Sequence, residues 1–166
     1  MIIGIIFDNS FSSLIVNYRF SIFTSFMHFI SFLGSALFVA VISTLLFAYD
    51  KEGRKYIPAL WLTLGLALLL IVILKYITAR PRPNIAPLEL ETNYSFPSAH
   101  ATAVFAPLIL VDKLFPKIKW LWFGVALLVL FSRLYLGVHY ISDVIAGALI
   151  GYIIGIIVLR VIKINF

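Results

Sequence analysis

Five long apolar runs recur along this chain of 166 residues, and they constrain its fold more than any other feature. A helix needs roughly 20 apolar residues to cross ~30 Å of hydrocarbon, where every backbone polar group must be hydrogen bonded inside the protein. With 63% hydrophobic and 12% charged residues, the chain has too little polar surface to cover itself in water. The sequence therefore predicts an all-α fold, a polytopic membrane helix bundle that forms a single domain over residues 1–166. The predicted spans are 29–49, 57–77, 99–115, 120–138 and 142–162.

The segment from Ser10 to Phe26 has a different pattern from the five spans. Its apolar residues follow helical spacing, but serine, asparagine and arginine lie between them, which is typical of a helix in the membrane interface. We therefore expect about five transmembrane helices preceded by an N-terminal interfacial helix. The alternative is a sixth span that begins near Met1.

The basic residues indicate the orientation and exclude one class of partner. If the turn 50–55 faces the cytoplasm, the loop 112–119 and the tail from Arg160 do so as well, and eight of the 13 Lys and Arg residues then face inward. This distribution predicts a multi-pass protein of the cytoplasmic (inner) membrane, with the opposite helix ends on the extracytoplasmic face. The loops are too short to form a basic stripe on a water-exposed surface, so the net charge of +6 does not indicate nucleic acid as a partner.

Three polar clusters lie at those outer helix ends. They cover Lys75 to Pro83, Pro97 to His100 and Ser132 to Asp143. Because consecutive spans alternate in direction, all three clusters reach the same side of the membrane. A single cation at a helix end commonly does no more than anchor the helix at the interface. Three cations, two of the three histidines and an aspartate on one face indicate a pocket instead.

The cations of this pocket match a phosphate dianion. The planar fork of arginine pairs with two phosphate oxygens at once. A helix that begins at Pro97 or Ser98 would direct its free backbone N–H groups and the positive end of its dipole at the same anion. The candidate phosphate ligands are Lys75, Arg82, Arg133, the Ser98 hydroxyl and the backbone N–H groups of Ser98, Ala99 and His100.

Two histidines and an aspartate supply the groups that phosphoryl transfer needs. The transfer requires a nucleophile on one side of the phosphorus and a proton donor for the leaving oxygen on the other. His139 and Asp143 are four residues apart and share one helical face, so the carboxylate can accept from one ring nitrogen and leave the other as the nucleophile. His100, on a different helix, is then the candidate general acid.

In these three motifs the chain resembles the type 2 phosphatidic acid phosphatases, a family that includes bacterial lipid phosphatases. The motifs span residues 75–143, and their order and spacing fit the family pattern. The resemblance implies a phosphohistidine on His139, with Asp143 as its partner and His100 as the acid for the leaving group. It also implies a phosphate site, without a metal or other cofactor, formed by Lys75, Arg82, Ser98, Ala99 and Arg133. The chain departs from the family at Ala99, where glycine is usual, and a backbone that required positive φ there would weaken oxyanion binding.

The pocket and the resemblance together predict an integral-membrane, metal-independent lipid phosphatase. Its partners would be the bilayer and a lipid whose phosphate monoester or terminal phosphate it removes. The candidate substrates are phosphatidylglycerol phosphate, the 1-phosphate of lipid A, undecaprenyl diphosphate and phosphatidate, and the sequence separates neither these lipids nor the possible oligomeric states. Two alternatives stay open: an anion transporter or channel subunit, which would place ionisable groups nearer the bilayer midplane, and a vanadate-binding haloperoxidase-like enzyme, whose relatives are soluble.

Four further features receive structural interpretations. The glycines at every fourth position from Gly147 to Gly155 favour close helix packing. Glu89 and Glu91 are too few to form a metal site, and we interpret them as solvated charges that could repel or select lipid head groups. His28, among apolar neighbours, is interpreted as structural, and Arg80 only as an extended residue before a proline.

Overall fold

The computed structural model describes residues 14–15, 19–84 and 86–162. Within these ranges the regular secondary structure is all helical and contains no strand, which confirms the all-α prediction. The α-helices with defined bounds are α1 (Ser21–Leu33), α2 (Ala36–Tyr49), α3 (Ile57–Thr78), α4 (Ala99–Phe105), α5 (Leu108–Leu114), α6 (Lys119–Tyr135) and α7 (Ile141–Val161), and a 3₁₀ helix, Gly53–Tyr56, precedes α3.

Two helical segments in the described part of the chain are long and apolar enough to cross a membrane. They are Gly53–Thr78, with 26 residues, and Ile141–Val161, with 21 residues. The pair formed by α1 and α2 adds a third candidate if it counts as one span, although its axis bends by 62°. These helices confirm a membrane helix bundle. The count of five spans with an interfacial helix stays a prediction.

The helix α1 does not end where the interfacial helix was predicted to end. It runs without a break past Phe26, so the predicted boundary between an interfacial helix over 10–26 and a span over 29–49 is wrong. Residues 10–13 and 16–18 of that prediction lie outside the described residues.

The chain bends between α1 and α2 instead, and the bend has two local causes. Gly34 packs so closely against α6 that a Cβ at this position would overlap the side chain of Val129. Ser35 then caps α2, because its Oγ accepts a hydrogen bond from the Phe38 N–H at 3.3 Å. Neither cause interrupts the hydropathy pattern, which is why the sequence predicts one continuous span over 29–49.

The predicted span over 99–115 is a helix interrupted at Pro107. α4 ends at Phe105 and α5 begins at Leu108, because proline has no N–H to donate to the preceding turn. The backbone keeps right-handed angles through the interruption, with φ −58° and ψ −46° at Ala106. The other three predicted spans agree with α3, α6 and α7 to within three residues at each end.

The glycines of α7 bring this helix against α4. A Cβ at Gly147 would lie 2.5 Å from the carbonyl oxygen of Ser98, and a Cβ at Gly151 would overlap the carbonyl oxygen of Thr102. Thr102 Oγ1 also donates to the Gly147 carbonyl oxygen at 2.9 Å. The prediction that these glycines serve close packing is confirmed. The contact holds the N-terminal ends of α4 and α7 side by side.

Candidate active site

Four helix ends meet at one end of the bundle and bring the three sequence motifs together. α3 and α6 end there, α4 and α7 begin there, and the loop 79–98 crosses between them. The Ser98 N–H donates to the Asp143 carbonyl oxygen at 3.0 Å, which joins the starts of α4 and α7. Arg82 Nη1 donates to the Val138 carbonyl oxygen at 2.7 Å, which joins the loop to the turn between α6 and α7.

His139 and Asp143 form the centre of this site, and the contacts of the two ring nitrogens favour one histidine tautomer. His139 Nδ1 lies 3.4 Å from Asp143 Oδ2, an oxygen that also accepts from the Tyr140 N–H at 2.9 Å. On the other side of the ring, Arg82 Nη1 lies 3.2 Å from His139 Nε2. Because a guanidinium can only donate, Nε2 carries the lone pair and Nδ1 carries the proton that faces Asp143. The nitrogen with the free electron pair is thus the one that faces the cations.

The surroundings of His139 keep its imidazole neutral. This residue lies in the turn between α6 and α7 and is almost completely buried. Burial lowers the pKa of the imidazole well below its ordinary value, and the positive charges of Arg133 and Arg82 lower the pKa further, while a backbone hydrogen bond with Ser95 opposes them. A neutral imidazole is the form that has a nucleophilic lone pair.

Arg80 holds the other oxygen of Asp143, a contact that the sequence pattern did not predict. Arg80 Nη1 donates to Asp143 Oδ1 at 2.6 Å and to Ser142 Oγ at 2.7 Å. Its guanidinium carbon also lies 4.1 Å from the centre of the Tyr140 ring. One signal could have found this contact: prolines follow both Arg80 and Arg82 and favour an extended backbone, in which residues two apart project to the same side.

Three cations that the sequence predicts to bind phosphate share acceptors supplied by the loop 79–98. We name them the phosphate clamp, and they are Lys75, Arg82 and Arg133. Lys75 is buried, donates to the Tyr94 carbonyl oxygen and lies 3.4 Å from Asn93 Oδ1. Arg82 Nε donates to the Asn93 carbonyl oxygen at 2.8 Å, and its Nη2 donates to Asn93 Oδ1. Asn93 thus sits between two of the three cations. No spacing or motif in the sequence distinguishes it from a solvated loop residue.

The acidic residues of the loop lie on the clamp, so the interpretation of Glu89 and Glu91 as solvated charges is wrong. Arg133 Nη1 donates to Glu89 Oε2 at 2.7 Å, and Arg133 Nη2 donates to Glu91 Oε1 at 2.6 Å. The second oxygen of Glu89 lies 3.1 Å from His28 Nδ1, so His28 has a polar partner as well. Arg133 Nη1 also donates to Ser31 Oγ on α1. Among the described residues, no group of three or more His, Cys, Asp and Glu side chains is placed to hold a metal ion.

Ser98 caps the N-terminus of α4 and leaves fewer free backbone donors than the sequence predicted. Its Oγ accepts from the Ala101 N–H at 3.5 Å, so the hydroxyl proton can be donated to another group. Its own N–H is bonded to Asp143, so the prediction that this amide is free for an anion is wrong. Ala99 is the first residue of α4, and the only described non-glycine residues with positive φ are Ala79 and Ala86. The backbone at Ala99 is therefore helical and does not require glycine.

His100 is the second residue of α4 and faces the same charges as His139. It is half-buried, and it interacts electrostatically with Arg133, with His139 and with the other two cations of the clamp. His100 therefore lies within electrostatic range of the clamp and on a different helix from Asp143.

Comparison with known proteins identifies a family whose model matches this chain. The model of the PAP2 superfamily matches residues 56–166, a range that contains all three motifs. The chain is 34% identical over 147 residues to an undecaprenyl-diphosphatase of Sulfolobus acidocaldarius, an alignment that covers 82% of this chain and 70% of the relative. It is 35% identical over 140 residues to phosphatidylglycerophosphatase B of Bacillus subtilis, covering 75% of this chain and 68% of that protein.

A solved structure has the same fold over nearly the whole chain. The crystal structure of Aquifex aeolicus LpxE superposes with a TM-score of 0.82 at 31% sequence identity. The superposition covers 93% of this chain and 95% of that one, so the similarity includes α1 and α2 as well as the helices that carry the motifs.

Proposed function

This chain belongs to the PAP2 superfamily and is a membrane phosphatase, and from that premise we propose that it removes the terminal phosphate of a membrane lipid through a phosphohistidine on His139. The observation that carries the proposal is the pair of contacts made by the two ring nitrogens of this residue. Its Nδ1–H faces Asp143, and its Nε2 lone pair faces the phosphate clamp. Attack on a bound phosphorus requires a lone pair that points towards the cations that hold the phosphate.

The first step transfers the phosphoryl group to the protein. His139 Nε2 attacks the phosphorus, the bond between phosphorus and the lipid oxygen breaks, and His100 gives its proton to that oxygen. The dianionic phosphate favours the protonated form of His100, because a negative charge nearby stabilises imidazolium. Asp143 stabilises the positive charge that develops on the ring of His139, in which Nδ1 keeps its proton.

The second step returns the protein to its starting state. A water molecule attacks the phosphohistidine, His100 takes the proton of this water, and the bond between Nε2 and phosphorus breaks to release inorganic phosphate. The clamp, the Ser98 hydroxyl and the Ala99 N–H stabilise the charge on the equatorial oxygens in both steps. Side chains and backbone supply every charge in this scheme, so we propose a metal-independent reaction.

The proposed substrates share one chemical group, a terminal phosphate with two ionisable oxygens on a lipid. Phosphatidylglycerol phosphate, undecaprenyl diphosphate, the 1-phosphate of lipid A and phosphatidate all carry it. The names of the relatives, an undecaprenyl-diphosphatase and a phosphatidylglycerophosphatase, support this class.

We propose that the whole chain acts as one domain of the cytoplasmic membrane, with about five spans, an N-terminal interfacial helix and the site on the extracytoplasmic face. The position of Arg19 supports this arrangement, since its Nε donates to the Tyr135 carbonyl oxygen at 2.8 Å and holds the chain before α1 at the active-site end. The loop 50–55, with three basic residues, connects α2 to α3 at the opposite end. Basic loops favour the cytoplasmic side.

Phosphate release from a panel of the four lipids by the purified protein in detergent, with and without EDTA, tests this proposal. We expect activity that survives chelation and falls by about 10³-fold or more in His139→Ala, because no other group replaces the nucleophile. Lys51→Ala is the control, since Lys51 is exposed at the opposite end of the bundle. Loss of activity with EDTA would overturn the metal-free mechanism, and full turnover by His139→Ala would overturn the assigned nucleophile.

A further inference from the structure

Two carboxylates accept hydrogen bonds from the terminal nitrogens of Arg133. These nitrogens are the donors that would bind a phosphate. The Arg133 side chain is only 1% exposed, and its Nη1 and Nη2 atoms donate to Glu89 at 2.7 Å and to Glu91 at 2.6 Å. The second oxygen of Glu91 lies 3.5 Å from Arg82 Nη2, so this carboxylate bridges two cations of the clamp. The glutamates and a phosphate therefore compete for the same donors.

The glutamates satisfy the charge of Arg133 but not all of its hydrogen-bonding capacity. A buried guanidinium without a counter-charge is strongly unfavourable, and the two carboxylates supply that counter-charge. Arg133 Nε is buried and has no hydrogen-bond partner within the described ranges. A tetrahedral phosphate monoester has three non-bridging oxygens and can offer an acceptor to a donor that the two carboxylates leave unsatisfied.

The contact between Glu89 and Arg133 can open without a change in the fold. The Leu88 N–H donates to the Leu136 carbonyl oxygen at 2.9 Å, which anchors the backbone directly before Glu89. The Glu89 side chain is 26% exposed and also contacts His28 at 3.1 Å, so it has a polar neighbour outside the clamp. Displacement of this carboxylate by a ligand therefore requires a side-chain movement rather than an unfolded loop.

We propose that Glu89 and Glu91 are specificity-determining residues that exclude phosphodiester head groups from the clamp, an inference that rests on the proposed lipid phosphatase function. A phosphodiester has one negative charge on two non-bridging oxygens, so its exchange for two carboxylates leaves the cations with less counter-charge. A phosphate monoester has nearly two charges on three oxygens and replaces what the glutamates provide. The discrimination matters because phosphodiesters are the bulk of the lipids around such an enzyme.

Competition between two lipids in mixed micelles tests this inference. Phosphate release from phosphatidate is measured while phosphatidylglycerol, a phosphodiester, replaces neutral detergent at constant total concentration. In the wild-type protein we expect phosphatidylglycerol to act as a diluent only. In Glu89→Gln and Glu91→Gln we expect it to compete and to raise the apparent KM about tenfold, the effect of one lost charge pair. Equal sensitivity of wild type and both variants would overturn the inference.

Binding of inorganic phosphate gives a second readout that does not depend on turnover. In the His139→Ala protein, titration calorimetry with phosphate should give a Kd about tenfold lower after Glu89→Gln or Glu91→Gln, because a competitor of the anion has been removed. An unchanged or higher Kd would show that the glutamates position Arg133 instead, and absence of phosphate binding in every protein would also overturn the inference. Thermal unfolding of each variant verifies that it is folded.

A control and a comparison separate this inference from the proposed function. Glu52→Gln is the matched control, since its carboxylate pairs with Lys55 at 2.7 Å in the loop at the opposite end and should alter neither readout. If the wild-type protein hydrolyses no lipid phosphate while the glutamate variants still tighten phosphate binding, the proposed function is wrong and the competition stands. If lipids are hydrolysed and the variants change neither readout, the proposed function stands and the competition is wrong.

Discussion

Arg80 Nη1 donates to Asp143 Oδ1 at 2.6 Å, on the carboxylate oxygen that His139 does not contact. Asp143 is completely buried, so its negative charge needs a positive partner to remain in place. The contact makes Arg80 a positioning residue, which acts on the reaction through the carboxylate that orients His139. It lies outside the phosphate clamp.

We predict that Arg80→Gln lowers kcat by about 10- to 100-fold and changes KM much less, because the variant removes the arginine charge at Asp143 Oδ1 and keeps the clamp. Arg80→Lys should restore part of kcat, since a lysine can still place a positive charge near Asp143. Steady-state kinetics with a soluble short-chain lipid phosphate measure both constants.

Arg54→Gln is the control for the Arg80 substitution. Arg54 Nε donates to the Ala48 carbonyl oxygen at 2.8 Å, so the control also removes an arginine hydrogen bond, but at the opposite end of the bundle. A large rise in KM with unchanged kcat in Arg80→Gln would contradict the positioning role and would place Arg80 on the substrate.

The same residue illustrates what could be predicted from the sequence and what could not. The bounds of α3, α6 and α7 follow from local hydropathy, which the sequence contains directly. The motif residues follow from their spacing and from the alternation of helix direction. The pairing of Arg80 with Asp143 depends on where the loop 79–98 crosses the helix ends, and that path is set by tertiary contacts such as the bond from Leu88 to Leu136.

The bend at Gly34 and the contact of two carboxylates with Arg133 escape prediction from the sequence for the same reason. Gly34 is in close contact with a residue 95 positions later, Val129, and no local pattern reports such an approach. Glu89 and Glu91 are polar residues in a polar loop, where a solvated position is the ordinary expectation. They pair with the buried Arg133 only because the loop crosses over the end of α6 in the folded protein.

The contact between α4 and α7 predicts a large difference between two glycine substitutions. A Cβ at Gly151 would overlap the Thr102 carbonyl oxygen, whereas a Cβ at Gly65 would meet no atom within 4 Å. We expect Gly151→Ala to destabilise the protein by about 1–3 kcal/mol, because the helices must separate. Gly65→Ala should be neutral or stabilising by about 0.5–1 kcal/mol, because alanine restricts the unfolded chain. Thermal unfolding in detergent compares them, and equal unfolding temperatures would contradict the packing argument.

The buried neutral imidazole of His139 predicts a pH dependence of stability. Burial lowers the pKa of this group well below its ordinary value of 6.5, so below pH 6.5 the unfolded chain takes up a proton here that the folded protein does not. The contribution of the neutral imidazole to the free energy of unfolding is therefore complete above pH 6.5. This contribution decreases as the pH falls towards the folded pKa, by about 1.4 kcal/mol per pH unit.

The measurement compares the unfolding temperatures of the wild-type protein and His139→Gln between pH 7.5 and pH 5. Glutamine does not titrate, so the other groups cancel in the difference, and the wild-type protein should lose stability relative to the variant as the pH decreases. A difference that stays constant over this range would mean that His139 binds its proton equally well in both states.

The backbone N–H of Ala99 can be removed without breaking the helix, which gives a direct test of its proposed contact with the phosphate. Proline is well tolerated at the first position of a helix, and Ser98 before it has φ −75° and ψ 118°, an extended conformation that suits a residue preceding proline. We predict that Ala99→Pro folds with an unfolding temperature near that of the wild type and loses about 10- to 100-fold in kcat/KM, because one donor to the transition-state oxygens is absent. Ala99→Gly keeps the N–H and is the comparison that separates the donor from the side chain. Full activity in the folded proline variant would show that this amide does not bind the phosphate.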